Sequence, residues 1–164
     1  GVKFEKGIVF LPQLIASAET VQKSFAIIKE ALMKNNKEEV VKGKIILATV
    51  EGDIHDIGKN IVKVILESYG FKVIDLGKNV PAEEVLRVAR EQEITLVGLS
   101  ALMTTTVKSM EKTIMLIRES GLNIKVMVGG AVLTEEYAKS IGADFYAKDA
   151  MESVKIAENH FIVK

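Results

Sequence analysis

Short apolar runs alternate with helical patterns along most of this chain, from residue 44 to residue 160. A short apolar run is typical of a strand buried on both faces, and apolar residues at steps of three and four predict an amphipathic helix. The predicted strands are Ile45–Val50, Phe71–Leu76, Ile94–Leu99, Ile124–Val128 and Ala143–Tyr146. Because strands and helices alternate, we expect an α/β domain with a parallel, doubly wound sheet. Five strands favour the flavodoxin-like (Rossmann-like) strand order 2-1-3-4-5.

The helix after the first strand is predicted from Ile57 to Tyr69, and Gly70 is expected to end it. Apolar residues at every fourth position form one face of this helix, and we expect that face to pack into the core. These residues are Ile57, Ile61, Ile65 and Tyr69. Asp56 is expected to cap this helix at its N-terminus, as Thr134 and Asp149 are expected to cap two later helices.

The first part of the chain is predicted to form a separate helical segment. From Leu11 to Leu32 apolar residues recur at steps of three and four, and Pro12 fits the first turn of such a helix. The polar and charged residues that follow are interpreted as a linker, which Gly43 closes. The predicted organisation is a helical segment over residues 1–36, a linker over residues 37–43 and the α/β domain over residues 44–164.

Composition restricts the chemistry that this chain performs by itself. It contains no cysteine, so disulfides, thiolate-bound metals and a thiol nucleophile are excluded. The formal net charge is +0 and the Lys and Arg residues are scattered, so we expect no nucleic-acid partner. No apolar run approaches the ~18 residues of a membrane span, so we expect no membrane partner and a cytoplasmic location.

Three loops are expected at one edge of the sheet, because parallel strands end at the same edge and ligands bind there. They follow the first, third and fourth strands and span Asp53–Gly58, Ser100–Thr106 and Gly129–Ala131. His55, one of 2 histidines in the chain, lies in the first loop between Asp53 and Asp56. One interpretation is a surface histidine bonded to its neighbours. The other is a metal ligand whose second ring nitrogen is held by Asp53.

The other two loops also have two interpretations each. Ser100 and the threonines at 104–106 either satisfy the free N–H groups of a helix start, or meet a polar ligand or the Asp53 carboxylate. Gly129-Gly130 is either an ordinary turn or a space for a flat or bulky ligand. The motifs of dinucleotide sites, phosphate loops and serine hydrolases are absent. A receiver domain is disfavoured, because Ser100 stands where its phosphoacceptor aspartate belongs.

Taken together, the three loops resemble the cobalamin-binding module of methionine synthase and of the corrinoid proteins of methyltransferase systems. Residues 53–58 match the D-x-H-x-x-G motif of that family, residues 100–102 its S-x-L motif, and residues 129–130 its GG motif. The motifs occur in the family's order and after the expected strands, and the flanking Gly58-Lys59-Asn60 also agrees. The resemblance covers residues 8–160.

The resemblance implies that the chain binds cobalamin, as methylcobalamin and cob(I)alamin, with the nucleotide tail displaced from cobalt and inserted into the α/β domain. His55 is then the lower axial cobalt ligand, Asp53 bonds its ring, and Thr106 takes the position of a relay serine in the methionine synthase pattern. The implied cofactor-binding residues are Asp53, His55, Asp56, Ile57, Gly58, Ser100, Leu102, Thr104, Thr106, Gly129, Gly130 and Ala131. No catalytic residue is expected beyond the cofactor.

The function implied by the resemblance is transport of a methyl group on cobalt between a methyl donor and an acceptor such as homocysteine. The expected partners are methyl-donor and methyl-acceptor methyltransferase domains or subunits and a reductive-activation partner. Residues 1–36 correspond to a partial helical cap, because Phe10-Leu11-Pro12-Gln13 resembles the start of the last cap helix. Two alternatives stay open: the cobalamin domain of an adenosylcobalamin-dependent mutase, and a cobalamin sensor that regulates a DNA-binding domain.

Overall fold

The computed structural model describes residues 41–162 and, before them, residues 10, 13, 16, 17 and 20. Residues 13, 16, 17 and 20 are helical and lie within the span predicted as one helix. The rest of that predicted helix, most of the proposed cap over residues 1–36 and the linker up to residue 40 lie outside the described residues. The described part therefore consists mainly of the predicted α/β domain, whose first strand begins at Lys44.

Parallel strands form one 5-stranded sheet in the order β2-β1-β3-β4-β5, as the sequence predicts. The strands are β1 (Lys44–Thr49), β2 (Lys72–Asp75), β3 (Leu96–Ser100), β4 (Lys125–Gly129) and β5 (Phe145–Tyr146). The continuous apolar runs of β1, β3 and β4 are buried, because helices cover both faces of the sheet. Thr49 pairs with Ser100, and Ser100 pairs with Gly129. This register places the loops after β1, β3 and β4 side by side.

Helices form a layer on each face of the sheet. They are α1 (Ile57–Ser68), α2 (Ala82–Glu91), α3 (Val107–Glu119), α4 (Glu135–Ser140) and α5 (Ala150–Ile162). α2, α3 and α4 pack on one face, against Ile46, Ala48 and Val50. α1 and α5 pack on the other face, against Ile45 and Leu47, because successive side chains of a strand alternate between faces. Within the described residues, no helix is both long and apolar enough to cross a membrane.

Two of the predicted helix caps are confirmed and one is wrong. The Thr134 hydroxyl accepts a hydrogen bond from the Tyr137 N–H at 3.2 Å, and the Asp149 carboxylate accepts one from the Glu152 N–H at 2.8 Å. Asp56 stands at the N-cap position of α1, but its side chain makes no capping hydrogen bond. The backbone of Asp56, with φ −114° and ψ 2°, lacks the extended conformation from which a side chain usually caps a helix.

The apolar face of α1 packs only partly against the protein. Ile57 is 58% exposed and Tyr69 is 39% exposed, whereas Leu66, outside the predicted face, is fully buried. Ile57, Ile61 and Ile65 line an open groove beside the sheet. The prediction that this face packs into the core is therefore wrong for Ile57 and Tyr69. Ile57 stays uncovered because α5, the other helix of this layer, leaves the first turn of α1 open.

Candidate functional site

A groove of about 960 Å³ opens between α1 and α5 at the carboxyl edge of the sheet. One wall is formed by Ile54–Lys59, Ile61, Val62 and Ile65, and the opposite wall by Tyr146–Met151 and Ser153. The floor and the remaining edge are formed by Leu47, Gly98–Leu102, Met127, Gly129–Ala131 and Leu133. Most of these residues are apolar. Grooves of ~300–1,000 Å³ with mainly apolar walls and a few polar groups are typical of small-molecule and cofactor sites.

The buried carboxylate of Asp53 connects the loop after β1 with the loop after β3. Its Oδ1 accepts hydrogen bonds from the His55 N–H at 2.9 Å and from the His55 ring nitrogen Nδ1 at 2.8 Å. Its Oδ2 accepts hydrogen bonds from the Leu102 N–H at 2.7 Å, the Met103 N–H at 3.3 Å and the Thr106 hydroxyl at 2.8 Å. Burial by itself raises the pKa of Asp53, but these hydrogen bonds outweigh it and hold that pKa well below its usual range.

The ring of His55 is fixed in one tautomer by this carboxylate. Asp53 is ionised and only accepts, so Nδ1 of His55 carries the hydrogen of their bond. In the neutral ring, Nε2 on the other side then has the free lone pair. The His55 side chain is 44% exposed and lines the groove. A histidine that donates one ring N–H to a carboxylate and offers its other nitrogen is the usual form of a metal-ligating histidine.

The loops after β3 and β4 approach each other closely at the edge of the groove. The Ala101 N–H donates a hydrogen bond to the Gly129 carbonyl at 3.3 Å. Gly130 has a φ of +145°, and a Cβ there would stand 1.9 Å from the Ala101 carbonyl oxygen. A Cβ at Gly129 would stand 3.0 Å from the Ala147 carbonyl oxygen. The two glycines therefore make room for neighbouring backbone, in addition to bordering the groove.

The structure brings most of the predicted site residues together. Those that line the groove are His55, Asp56, Ile57, Gly58, Ser100, Leu102, Gly129, Gly130 and Ala131. Asp53 and Thr106 are buried beside the groove and hydrogen-bonded to each other. Thr104 is exposed and does not line the groove, so the structure does not bring it together with the others.

Several residues of the groove were missed by the sequence analysis. The floor contains Leu47, Gly98 and Met127, which come from inside the strands rather than from the loops. The segment Tyr146–Met151, from the last residue of β5 into the first turn of α5, forms a wall, although only three other loops were predicted to share this edge. A signal for that segment was present, because the predicted fifth strand also ends at the carboxyl edge.

A residue of the loop between β2 and α2 also holds the His55 loop. Asn79 has a φ of 54°, a left-handed conformation that Asn adopts more readily than most residues. Its Oδ1 accepts a hydrogen bond from the Gly52 N–H at 2.7 Å, and its own N–H donates to the Asp53 carbonyl at 2.9 Å. The backbone on the N-terminal side of His55 is therefore fixed from outside the loop.

The first turn of α1 is anchored by a buried ion pair. Lys59 is 4% exposed, and its ammonium group donates hydrogen bonds to Asp75 and, at 2.8 Å, to Asn60 Oδ1. Asp75, the last residue of β2, also accepts a hydrogen bond from the Gly77 N–H at 2.9 Å. Burial raises the pKa of Asp75, but Lys59, the Gly77 N–H and the Lys63 charge together lower it. The charge of Lys59 is thus already neutralised within the protein.

Comparison with known proteins identifies the family to which this arrangement belongs. Residues 43–155 match the B12 binding domain family. The chain belongs to this family. Its cofactor is therefore cobalamin or a related corrinoid. The match covers the sheet, the three loops at its carboxyl edge and the first part of α5.

Similar proteins are corrinoid proteins of methyl-transfer systems. The dimethylamine corrinoid protein of Methanosarcina barkeri is 44% identical over 160 residues, which are 96% of this chain and 75% of that protein. A cobalamin-binding protein of Desulfitobacterium hafniense has a structure with a TM-score of 0.81 and 36% identity, covering 97% of this chain and 75% of that one. The methanol:cobalamin methyltransferase complex MtaBC of Methanosarcina barkeri gives a TM-score of 0.84 and 31% identity, covering 99% of this chain and 62% of that one.

The residues of the groove fit such a cofactor. His55 offers one oriented imidazole nitrogen at the mouth of the groove. The exposed apolar side chains along the groove are Ile54 at 63%, Ile57 at 58% and Leu102 at 42% exposure. Exposed apolar side chains in such a cluster are typical of a surface that a ligand covers. The groove itself has the volume and the mainly apolar walls that the nucleotide tail of a corrinoid requires.

Proposed function

We propose that this chain carries a methyl group on the cobalt of cobalamin between a methyl donor and a methyl acceptor. The observation that supports it is the series of hydrogen bonds from Thr106 through Asp53 to His55, which ends at the mouth of an apolar groove. The bound cofactor supplies the chemistry, since cobalt takes up and releases the methyl group. The residues of this chain hold the cofactor and orient its lower face.

Each residue of the hydrogen-bonded series has a separate task in this proposal. His55 would hold the cobalt through Nε2. Asp53 fixes the tautomer and direction of the His55 ring, and its negative charge makes the imidazole a stronger electron donor. Thr106 donates to Asp53 Oδ2 in place of the serine of the methionine synthase pattern. Its hydroxyl also lies 2.8 Å from the Met103 carbonyl, so its single hydrogen is shared between two acceptors.

The other predicted residues border the space for the nucleotide tail. Ser100, Leu102, Gly129 and Gly130 line the groove next to the strand ends, and the Ser100 hydroxyl lies 2.8 Å from the buried Thr49 hydroxyl. Asp56, Ile57, Gly58 and Ala131 line the same groove. Thr104, which does not line it, stays a prediction from the family resemblance alone.

We infer that the methyl donor is a methylated amine or methanol. A dimethylamine corrinoid protein is 44% identical to this chain, and the methanol:cobalamin methyltransferase complex is 31% identical. The partners are then the methyltransferase domains or subunits that load and unload the cobalt. Homocysteine as acceptor and a reductive-activation partner rest on the resemblance alone, and a cytoplasmic location stays an expectation from the sequence. The same relatives favour a methyl carrier over a mutase domain or a cobalamin sensor.

The test is the absorption spectrum of the 164-residue chain with hydroxocobalamin. We expect wild type to bind it and to give the spectrum of cobalt with a histidine ligand and a displaced tail. His55→Gly should lose that spectrum while still binding, because the groove remains, and added imidazole should restore it. His160→Ala, which removes the other histidine, should behave as wild type. No binding by wild type, or an unchanged spectrum in His55→Gly, contradicts the proposal.

A further inference from the structure

We propose that Gly98 sets the depth of the groove and so selects corrinoids by the size of the heterocyclic base in their nucleotide tail. This inference rests on the proposed function, because it concerns the same groove. Gly98 lies in the middle of β3 and forms part of the groove floor. Gly98 belongs to none of the three sequence motifs in the loops at the carboxyl edge of the sheet, so its role follows from the structure alone.

Gly98 lets the ends of two larger side chains of the groove floor lie close to the strand, and the low part of the floor that results is called the notch. In the sheet register it pairs with Leu47 of β1 on one side and with Met127 of β4 on the other. Paired residues of neighbouring parallel strands face the same side of a sheet, and Leu47 and Met127 also line the groove. A Cβ at Gly98 would stand 2.6 Å from Leu47 Cδ2 and 3.2 Å from Met127 Cε. The ends of these two side chains therefore occupy the place of the missing Gly98 side chain, which keeps the floor of the groove low.

The fold alone does not require glycine at this position. Both atoms that a Cβ would meet are the ends of flexible side chains, which can turn aside. Glycine inside a strand weakens the strand, because it loses more conformational freedom on folding and has no side chain to pack. Leu47 and Met127 border the groove, so an alanine at Gly98 would push their methyl groups into it. Glycine at this position therefore weakens the strand but leaves space in the groove for a ligand, and that space offsets the loss of stability.

The chemistry of the notch matches one part of the nucleotide tail. Leu47 and Met127 are apolar and 3% exposed, and the polar side chains that line the groove stand at other positions: His55, Asp56, Lys59, Ser100, Lys148, Asp149 and Ser153. The tail of cobalamin has a charged phosphate, a polar ribose and a flat, mainly apolar benzimidazole. Of these three parts, the benzimidazole loses the fewest hydrogen bonds to water when it enters an apolar notch.

The test compares two corrinoids, hydroxocobalamin and cobinamide, which lacks the nucleotide tail. We expect Gly98→Ala to weaken hydroxocobalamin binding about tenfold or more, because overpacking costs that much, and to leave cobinamide binding within about twofold. The double variant Leu47→Ala/Gly98→Ala should restore hydroxocobalamin affinity, because removing the Leu47 side chain reopens the space. Affinities come from absorption titrations, and thermal unfolding of each ligand-free variant checks that it is folded.

The outcomes separate this inference from the proposed function. If wild type binds neither corrinoid, the proposed function fails. If wild type binds both but Gly98→Ala weakens both equally or neither, the role of Gly98 is overturned and the proposed function stands.

A second measurement avoids the Gly98→Ala variant, in case it does not fold. It compares cobamides with benzimidazole and with the larger naphthimidazole as base. Wild type should bind the larger base about tenfold more weakly, and Leu47→Ala should reduce that difference. Equal affinity of wild type for the two bases overturns the inference.

Discussion

At the scale of single residues, the site depends on the carboxylate of Asp53. Asparagine, which has the same shape but no charge, is a poor substitute for it. Asp53 accepts hydrogen bonds from the backbone and ring of His55, from the N–H groups of Leu102 and Met103, and from Thr106. Both oxygens are thus surrounded by donors. An asparagine offers one oxygen and an NH2 group, and in either orientation the NH2 group would face donors.

Asp53→Asn should therefore destabilise the protein in addition to freeing the His55 ring. We expect a loss of about 1–3 kcal/mol in the free energy of unfolding, because buried donors lose their acceptor. Urea denaturation followed by circular dichroism measures this. Asp56→Asn is the matched control, since the Asp56 side chain makes no capping bond, and it should change stability by less than about 0.5 kcal/mol. Equal effects of the two substitutions would contradict the role of Asp53.

The sequence predicted those contacts of the site that depend on residues close together in the chain and on the order of the loops. The Asp53–His55 hydrogen bond follows from a spacing of two residues, and the Thr106 hydroxyl was expected at Asp53. The notch at Gly98 was not predicted, because it depends on which residues of β1 and β4 stand beside it. That register is set by the packing of whole strands, and no local pattern reports it.

At the scale of elements, the position of α1 depends on the ion pair that attaches its first turn to β2. A lysine near a helix N-terminus is electrostatically unfavourable, because the helix dipole is positive there. Asp75 compensates the charge of Lys59 and simultaneously binds the Gly77 N–H. The ion pair thus holds the helix that carries Ile57 and Gly58 at the groove.

Asp75→Asn should destabilise the protein by about 3–5 kcal/mol, because the buried ammonium of Lys59 loses its counter-charge. Lys63→Met, which removes a more exposed partner at 3.5 Å from Asp75, should cost no more than about 1 kcal/mol. The double variant Lys59→Met/Asp75→Asn should recover part of the loss, since no unpaired buried charge remains. Urea denaturation of all three variants tests this, and similar losses in Asp75→Asn and Lys63→Met would contradict it.

The apolar face of α1 shows a limit of prediction from the spacing of apolar residues, which does not tell what covers such a face. The pattern of isoleucines predicted the helix and its face, and α1 indeed begins at Ile57. The same pattern did not distinguish a face that packs on the protein from one that lines a groove for a ligand. In both cases apolar side chains become buried from water, but Ile57 becomes buried only when a ligand fills the groove.

At the scale of the whole molecule, the two helical layers have different tasks. The layer of α2, α3 and α4 packs closely on the sheet, with Met110, Ile114 and Ile117 buried at its centre. The layer of α1 and α5 is open at the carboxyl edge and leaves the groove there. The strand order was predictable from the alternation of strands and helices. The opening was not, because it depends on how far α5 extends over α1.

Acid should destabilise the whole domain through three hydrogen-bonded carboxylates, of which one is buried and two are partly buried. Asp53, Asp75 and Asp144 have pKa values below the ordinary 3.8, since hydrogen bonds and nearby cations outweigh the effect of burial. For Asp144 these are the Val126 N–H at 2.7 Å, Lys125 at 2.9 Å and Arg118. A carboxylate whose pKa is lower in the folded state stabilises that state above its unfolded pKa. That contribution decreases as the pH falls below the unfolded pKa and is lost once the pH has passed below the folded pKa.

We therefore expect the contribution of these groups to the free energy of unfolding to be constant down to about pH 5. Below about pH 4 that contribution should fall as the pH decreases. Urea denaturation at intervals between about pH 2 and about pH 7 measures the slope. Asp144→Asn should be less stable at neutral pH and should show a shallower acid dependence, because it removes one group that binds a proton only on unfolding. Equal slopes for wild type and Asp144→Asn would show that Asp144 does not contribute to acid unfolding.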